Sequence, residues 1–315
     1  MTIVTLSLNP TIDVASETDL VRPTHKIRTT GETYDPGGGG VNVARVINEL
    51  GGNATVICPA GGFTGSMLDN MLGAIPIPRK IVPISGTTRI SLTVYERNSG
   101  HEFRFTPRGP ELSPAELEAC LDTVRGATFD YFVASGSETR GAPPDILAQV
   151  AEIVAEKGAK FILDSSGPGL SVTLERGPVY LVKPSFGELE SLVGRSLDDD
   201  AARDAAVDLV QSGRAEIVTV TMGAAGALLV TKDTALRMWS PKVQSHSAVG
   251  AGDSFLAAMT LALSDGRDIE DALIFAIAAG AATAMTSGTR LCRKEDVTRI
   301  YNDISKARAS EGAAI

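Results

Sequence analysis

Short apolar runs alternate with segments of helical period through most of the chain. Ile3 to Leu8, Ala54 to Cys58, Tyr131 to Ala134, Lys160 to Leu163, Val179 to Val182, Ile217 to Thr221 and Ala227 to Val230 read as strands. From Gly40 to Leu50, the residues Val43, Val46, Ile47 and Leu50 fall on one stripe, and Gly51-Gly52 ends it, as in an amphipathic helix. Pro143 to Glu156 and Asp199 to Gln211 read as helices too. Strands that are apolar throughout are buried on both faces, so helices between them predict an α/β domain around a mostly parallel sheet.

Two stretches break this rhythm. From about Thr11 to Pro36 the chain is polar without helical period. From about Ile84 to Phe105 it reads as antiparallel strands, with Ile90, Leu92 and Val94 alternating with Ser91, Thr93 and Tyr95 before the turn Asn98-Ser99-Gly100. Half-buried strands inserted in an α/β chain predict a small second sheet. The two insertions, at about 11–36 and 84–108, are expected to form a lid on a single domain spanning 1–315. The apolar side of so thin a sheet needs a cover, and a two-fold homodimer through the lid is expected.

Composition narrows the partners. A net charge of −9 argues against sequence-independent nucleic-acid binding, which needs a basic surface. Three scattered cysteines offer no disulfide framework and no paired-cysteine metal motif. The start Met1 to Leu6 reads as a first strand, not a secretion leader, and no apolar run approaches the roughly 20 residues that span a bilayer. A cytoplasmic protein with no membrane and no nucleic-acid partner is expected.

Two glycine motifs carry the chemistry. In Asp35-Pro36-Gly37-Gly38-Gly39-Gly40-Val41-Asn42, four glycines open directly into a helix. They let a ligand approach the backbone, and the first N–H groups of the helix are free to bind oxygens. Asn42 offers both a donor and an acceptor. In Gly250-Ala251-Gly252-Asp253-Ser254, the turn leads into the apolar helix Phe255 to Leu263. Free N–H groups there suit a transferring phosphoryl, and a carboxylate there can take a hydroxyl proton. Taken alone, Asp253 reads equally well as a helix cap. There is no Gly-Lys pair and hence no Walker A loop, and no G-x-G-x-x-G, G-x-S-x-G or HExxH motif occurs.

Together with the start Asn9-Pro10-Thr11-Ile12-Asp13 and the segment Thr289-Arg290-Leu291, these motifs make nearly the whole chain resemble the PfkB-type carbohydrate kinases of the ribokinase-like superfamily. The resemblance implies a three-layer α/β/α sandwich with a small β-sheet lid, and an ATP-dependent sugar-phosphate kinase. It implies Asp253 as base and Gly250, Ala251 and Gly252 as anion hole. Asp13, Gly38, Gly39, Asn42 and Ser137 would hold the sugar, and Lys26, Arg28, Arg89 and Arg104 its phosphate. Lys183, Ser185, Thr221, Gly223, Gly226, Ser247, Thr283 and Thr286 would contact the nucleotide. Glu188 would organise Mg²⁺ through water. Ser247, Val249, Thr283, Thr286, Gly288 and Arg290 would border a K⁺ site. The chain departs from the family's Asn-x-x-Glu element at Ser185.

Family members acting on fructose 1-phosphate or tagatose 6-phosphate commonly carry lysine where this chain has Gly39. The glycine implies fructose 6-phosphate, phosphorylated on its 1-hydroxyl, with those two activities as alternatives. A sugar-phosphate-binding regulator without catalysis is the reading from another class, and the intact Asp253 and anion-hole glycines oppose it.

Overall fold

The computed structural model describes residues 1–177 and 179–312. In chain order the strands are β1 (Ile3–Leu6), β2 (Thr11–Thr18), β3 (Thr30–Gly37), β4 (Ala54–Ala60), β5 (Arg79–Pro83), β6 (Arg89–Glu96), β7 (Glu102–Phe105), β8 (Tyr131–Ser135), β9 (Lys160–Asp164), β10 (Val179–Val182), β11 (Ala215–Thr221), β12 (Ala227–Val230) and β13 (Ala235–Met238). The helices are α1 (Gly39–Glu49), α2 (Gly62–Gly73), α3 (Pro114–Arg125), α4 (Ile146–Glu156), α5 (Gly167–Arg176), α6 (Phe186–Val193), α7 (Asp199–Gln211), α8 (Ala251–Ser264), α9 (Ile269–Ala284) and α10 (Lys294–Gly312).

Nine strands form one sheet in the order β13-β12-β11-β10-β9-β8-β1-β4-β5. The run from β11 to β5 is parallel, and β12 and β13 close it as an antiparallel edge. Helices cover both faces. On one side Val43, Val46 and Ile47 of α1 pack with Leu68 of α2, Leu256 of α8, Leu273 of α9 and Val297 of α10. On the other, Leu121 of α3, Val150 of α4, Leu174 of α5, Leu189 of α6 and Leu209 of α7 form the second core. The architecture is a ribokinase-like α/β/α sandwich. Its strand order reverses between β1 and β8, and in open α/β sheets ligands bind at such a point, beyond the carboxyl ends of the strands.

The glycine run has a packing reason. Helix α1 starts where it crosses the end of β1, and a Cβ on Gly40 would stand 2.3 Å from the Leu6 carbonyl oxygen. A Cβ on Gly39 would meet Ser135 Oγ at 2.4 Å and the Gly136 nitrogen at 2.6 Å. Any side chain there would push apart the first helix and the central strands.

The lid is a separate four-stranded sheet, β3-β2-β6-β7. The antiparallel strands expected within 84–105 are β6 and β7, and β2 pairs with β3 in the same sense. The two insertions then join in parallel through β2 and β6, Thr11 beside Arg89 through Thr18 beside Glu96. Both leave the carboxyl end of a parallel main sheet, after β1 and β5, so they head the same way. Helix α4 starts at Ile146, not Pro143. Pro143 precedes Pro144, and a residue before proline is biased away from helical backbone.

Candidate active site

Asp253 is the third residue of α8, and Gly250 is the N-cap, so Asp253 does not cap the helix. Its carboxylate instead accepts from Asn42 Nδ2 at 2.9 Å, across from α1. Gly250 holds a left-handed φ of 73°, and a Cβ there would stand 2.5 Å from Leu291 Cδ2. The N–H groups of Gly252 and Asp253 in the first turn have no preceding carbonyl inside the helix and are available to an anion, while the Ala251 N–H makes a long contact of 3.4 Å to the Ala248 carbonyl. Burial, with the nearby charge of Asp164, pushes the Asp253 pKa up to about 6, against the pull of Asn42 and Lys183. At neutral pH the group is ionised yet basic enough to accept a hydroxyl proton.

Asp253 stands between two groups of residues, Asn42 and Asp13 toward the lid and Lys183 and Asp164 toward a cleft. The first group, the cradle on the lid side, holds the residues expected to bind a sugar. Asp13 opens the inner face of β2, and its Oδ2 lies so close over Gly37 that a Cβ there would stand 1.9 Å away. Burial raises the Asp13 pKa to about 6, while Arg89, Arg45 and Arg104 pull it down. Arg89 Nη2 donates to the Asn9 carbonyl at 2.8 Å and Nη1 to the Pro107 carbonyl at 3.0 Å. Its Nε is buried with no protein partner among the described residues. Ser137 follows β8 and lies 3.3 Å from Asn9 Nδ2. Gly38, Gly39 and Asn42 line the floor at the start of α1.

The second group belongs to a cleft of about 870 Å³ between the carboxyl ends of β9 to β11 and helices α8 and α9. Lys183, Ser185, Glu188, Thr221, Gly223 and Gly226 line it. Its apolar wall of Val243, Phe255, Ile277, Ala281 and Ala284 suits a flat heterocycle. Gly226 has φ 91°, and a Cβ there would stand 2.1 Å from the Met238 carbonyl oxygen, so glycine is required for the tight return into β12. Lys183 is buried and pairs with Asp164 Oδ1 at 3.0 Å. Burial opposes its charge, but Asp164 outweighs it and holds the lysine above its ordinary pKa.

Ser185 caps α6 and accepts from the Glu188 N–H, while Glu188 Oε2 accepts from the Ser185 N–H at 2.7 Å. This capping box spends one Glu188 oxygen on the backbone. Mg²⁺ keeps several waters and needs few protein carboxylates, so Glu188 and Asp164 on the cleft wall would suffice to hold a hydrated ion, which would neutralise phosphate charge there. Ser185→Asn should supply an amide toward that water shell and lower the free Mg²⁺ needed for half-maximal kcat/KM, by less than about tenfold. Glu188→Gln should raise it. An unmoved curve for Ser185→Asn would make serine an equal substitute.

Some expected residues lie elsewhere. Lys26 and Arg28 are exposed in the loop between β2 and β3. This loop lies beyond Thr18, and Thr18 is roughly 20 Å along β2 from Thr11 at about 3.3 Å per residue. The single chain does not bring them to its own cradle. Arg104 lies on the inner face of the lid, in register with Thr93, and is exposed. Ser247, Val249 and Thr283 are buried and do not line the cleft. Thr283 Oγ1 donates to Ser254 Oγ at 2.7 Å, and Ser247 Oγ accepts from the Val249 N–H at 3.2 Å. Thr286 links the carbonyls of Thr283 and Arg290 in the loop that carries Gly288.

The sequence reading passed over Asp164, Arg45 and the apolar wall. Asp164 had a signal: it ends an apolar strand just before Ser165-Ser166, where α/β sheets place ligand-binding groups. The wall residues had none: Phe255, Ile277, Ala281 and Ala284 fall within helices whose apolar faces look like ordinary core, and Val243 is a lone apolar residue in the loop between β13 and α8.

Comparison with known proteins agrees with this geometry. The pattern of the pfkB family carbohydrate kinases matches residues 6–296. The ATP-dependent 6-phosphofructokinase isozyme 2 of Mycobacterium tuberculosis H37Rv is 43% identical over 302 residues, 95% of this chain and 88% of the relative. The isozyme 2 of Escherichia coli K12 is 40% identical over 309 residues, 96% of this chain and 99% of the relative. The solved structure of Escherichia coli phosphofructokinase-2 in complex with potassium superposes with a TM-score of 0.93 at 40% identity, covering 96% of this chain and 99% of that one. The chain belongs to the pfkB family of carbohydrate kinases.

Proposed function

We propose that this kinase transfers the γ-phosphoryl group of ATP to the 1-hydroxyl of fructose 6-phosphate. The observation that carries the reading is the placement of Asp253, inside the first turn of α8, held by Asn42, between the cradle and the cleft. In the reaction an Asp253 oxygen takes the hydroxyl proton as the sugar oxygen bonds to phosphorus. The bond to the β-phosphate oxygen breaks and ADP leaves. The free N–H groups of Gly252 and Asp253 meet the charge on the transferring group, and Lys183 meets the phosphate chain. Mg²⁺ would add charge neutralisation beside Glu188 and Asp164. The oxygen-rich loop Thr283 to Arg290, with Ser247 and Val249, offers hard-cation donors for K⁺.

Fructose 6-phosphate is preferred over fructose 1-phosphate and tagatose 6-phosphate because of Gly39. The family's lysine for those sugars has no room here, with Ser135 Oγ only 2.4 Å from a Cβ. The test is ATP consumption over a panel of hexose phosphates. Highest kcat/KM with fructose 6-phosphate is expected. Turnover of none would leave a binding protein.

The active form is proposed to be a homodimer through the outer face of the lid. Tyr34, Leu92 and Phe105 are 55%, 44% and 54% exposed, and the register places them on one face with Val14 between them. A sheet this thin has no helix layer of its own to cover that stripe. Light scattering at micromolar concentration should give twice the chain mass, and Leu92→Asp should halve it. A monomeric native protein overturns the proposal. Among the described residues no helix is long and apolar enough to cross a membrane. Cys58, Cys120 and Cys292 are buried and free, as suits a reducing cytoplasm.

A further inference from the structure

Arg45 stands on α1 one turn beyond Asn42 and reaches back toward the lid. Its Nη2 pairs with Asp35 Oδ1 at 3.0 Å, and its Nη1 donates to the Pro36 carbonyl at 2.7 Å. The same Nη1 lies 3.5 Å from Asn42 Oδ1. Asp35 accepts through its other oxygen from Thr289 Oγ1 at 2.8 Å. Five side chains thus run in sequence from the loop after α9 to the base: Thr289, Asp35, Arg45, Asn42 and Asp253.

The middle of this series decides an orientation. A carboxamide has an acceptor on one side and a donor on the other, whereas a guanidinium can only donate. At 3.5 Å the contact is too long for a strong hydrogen bond, so the charge of Arg45 acts mainly on the amide dipole. It draws the Asn42 oxygen and turns the NH₂ to Asp253. A flipped amide would set oxygen against carboxylate and NH₂ against guanidinium. With the observed sense, one Asp253 oxygen accepts from Asn42 and the other remains for the hydroxyl proton.

Arg45 also grips the last residues of β3. Asp35 and Pro36 are where the lid runs into the glycine run and α1, with no linker between. The two-point hold fixes the lid's exit to the helix that floors the cradle. Its charge reaches Asp13 as well, which faces Arg89, Arg45, Asp35 and Arg104.

We propose that Arg45 is a positioning residue for phosphoryl transfer, orienting the Asn42 amide toward Asp253 and fastening the lid's exit at Asp35-Pro36 to α1. The inference rests on the kinase reading above. Native protein is therefore assayed first with fructose 6-phosphate, and absence of turnover sinks that reading itself.

With native turnover in hand, Arg45→Met should lower kcat roughly 10- to 100-fold, the scale of a small misplacement at a reacting centre. The KM for ATP should stay within about twofold, since the lost contacts are on the sugar side. The acid limb of kcat/KM for the sugar reads the free-enzyme carboxylates. These are Asp13, with the neighbours named, and Asp253, which faces Asp164, Lys183, Asp13 and Asn42. Each has its pKa near 6. Arg45 is one of the cations that hold Asp13 down, so its removal should raise the Asp13 pKa and move the limb to higher pH in Arg45→Met. Arg45→Lys keeps the charge and loses the fork, so its limb should stay while kcat recovers only in part. Asp35→Asn removes an anion beside Asp13, and the limb should move to lower pH. A merely structural role predicts no such opposed shifts. A limb unmoved in both Arg45→Met and Asp35→Asn, or an Arg45→Met kcat within about threefold of native, overturns the proposal. Should Arg45→Met fail to melt cooperatively, Arg45→Lys decides: a reduced kcat at an unmoved limb supports the fork's role, and a native kcat overturns it.

Discussion

Asp253→Asn should lower kcat by roughly 10²–10⁴-fold or more, the contribution typical of a positioned base. The isosteric amide keeps the shape of the site but cannot take the hydroxyl proton. It also meets the Asn42 NH₂ with either an oxygen or another NH₂, so the local contact is altered while α8 is not. Helix α8 is capped by Gly250, so little thermal stability should be lost. Affinity for ATP should change little, because removing one negative charge near the phosphates does not weaken an anion's binding. Calorimetry for the fold and isothermal titration for ATP complete the measurement. A loss of only a few-fold in kcat would exclude Asp253 as the base.

Arg89→Ala should raise the KM for fructose 6-phosphate roughly 10- to 150-fold, corresponding to the loss of one charge-assisted hydrogen bond of about 1.5–3 kcal/mol. The motivation is the buried, unpartnered Nε beside Asp13 on the inner face of the lid. A phosphate oxygen would complete its donor set. Arg89 also ties the carbonyls of Asn9 and Pro107 together, so its removal loosens the cradle's rim. The KM for ATP separates the two effects. An Arg89→Ala protein that loses affinity equally for both substrates has a folding defect, and the phosphate-reading role falls.

How much of this was legible in the sequence depends on range. Seven of the nine main-sheet strands were readable because each is a short apolar run whose burial on both faces leaves no polar alternation; the edge strands β5 and β13, short and largely exposed, gave no such signal. Helix α1 and its glycines were readable because stripe and stop signal are local. The parallel pairing of β2 with β6 was not, since it depends on where two distant insertions leave the main sheet. Gly39 and Gly226 announced themselves as glycines, but the atoms that forbid a side chain, Ser135 Oγ and the Met238 carbonyl, are far away in sequence. Arg45 looked like a helix-surface cation, because nothing in its neighbourhood shows that the lid's exit folds back over it. The resemblance grouped Lys26 and Arg28 with Arg89, yet a β-strand's length separates them.

The parallel join of β2 and β6 also sets an order of assembly. Thr11 and Arg89 are 78 positions apart, so the two local pairs, β2-β3 and β6-β7, cannot join into one sheet by a local step. Closing so long a loop costs chain entropy before any pairing rewards it. The intervening β4, α2 and β5 must first dock on β1 to bring the two strands side by side. The lid is then a late-forming unit whose amides should exchange with deuterium sooner than those of β1, β4 and β8. It can loosen while the sandwich beneath stays folded. A substrate entering the cradle would meet a cover whose opening costs only a sub-global fluctuation of the protein.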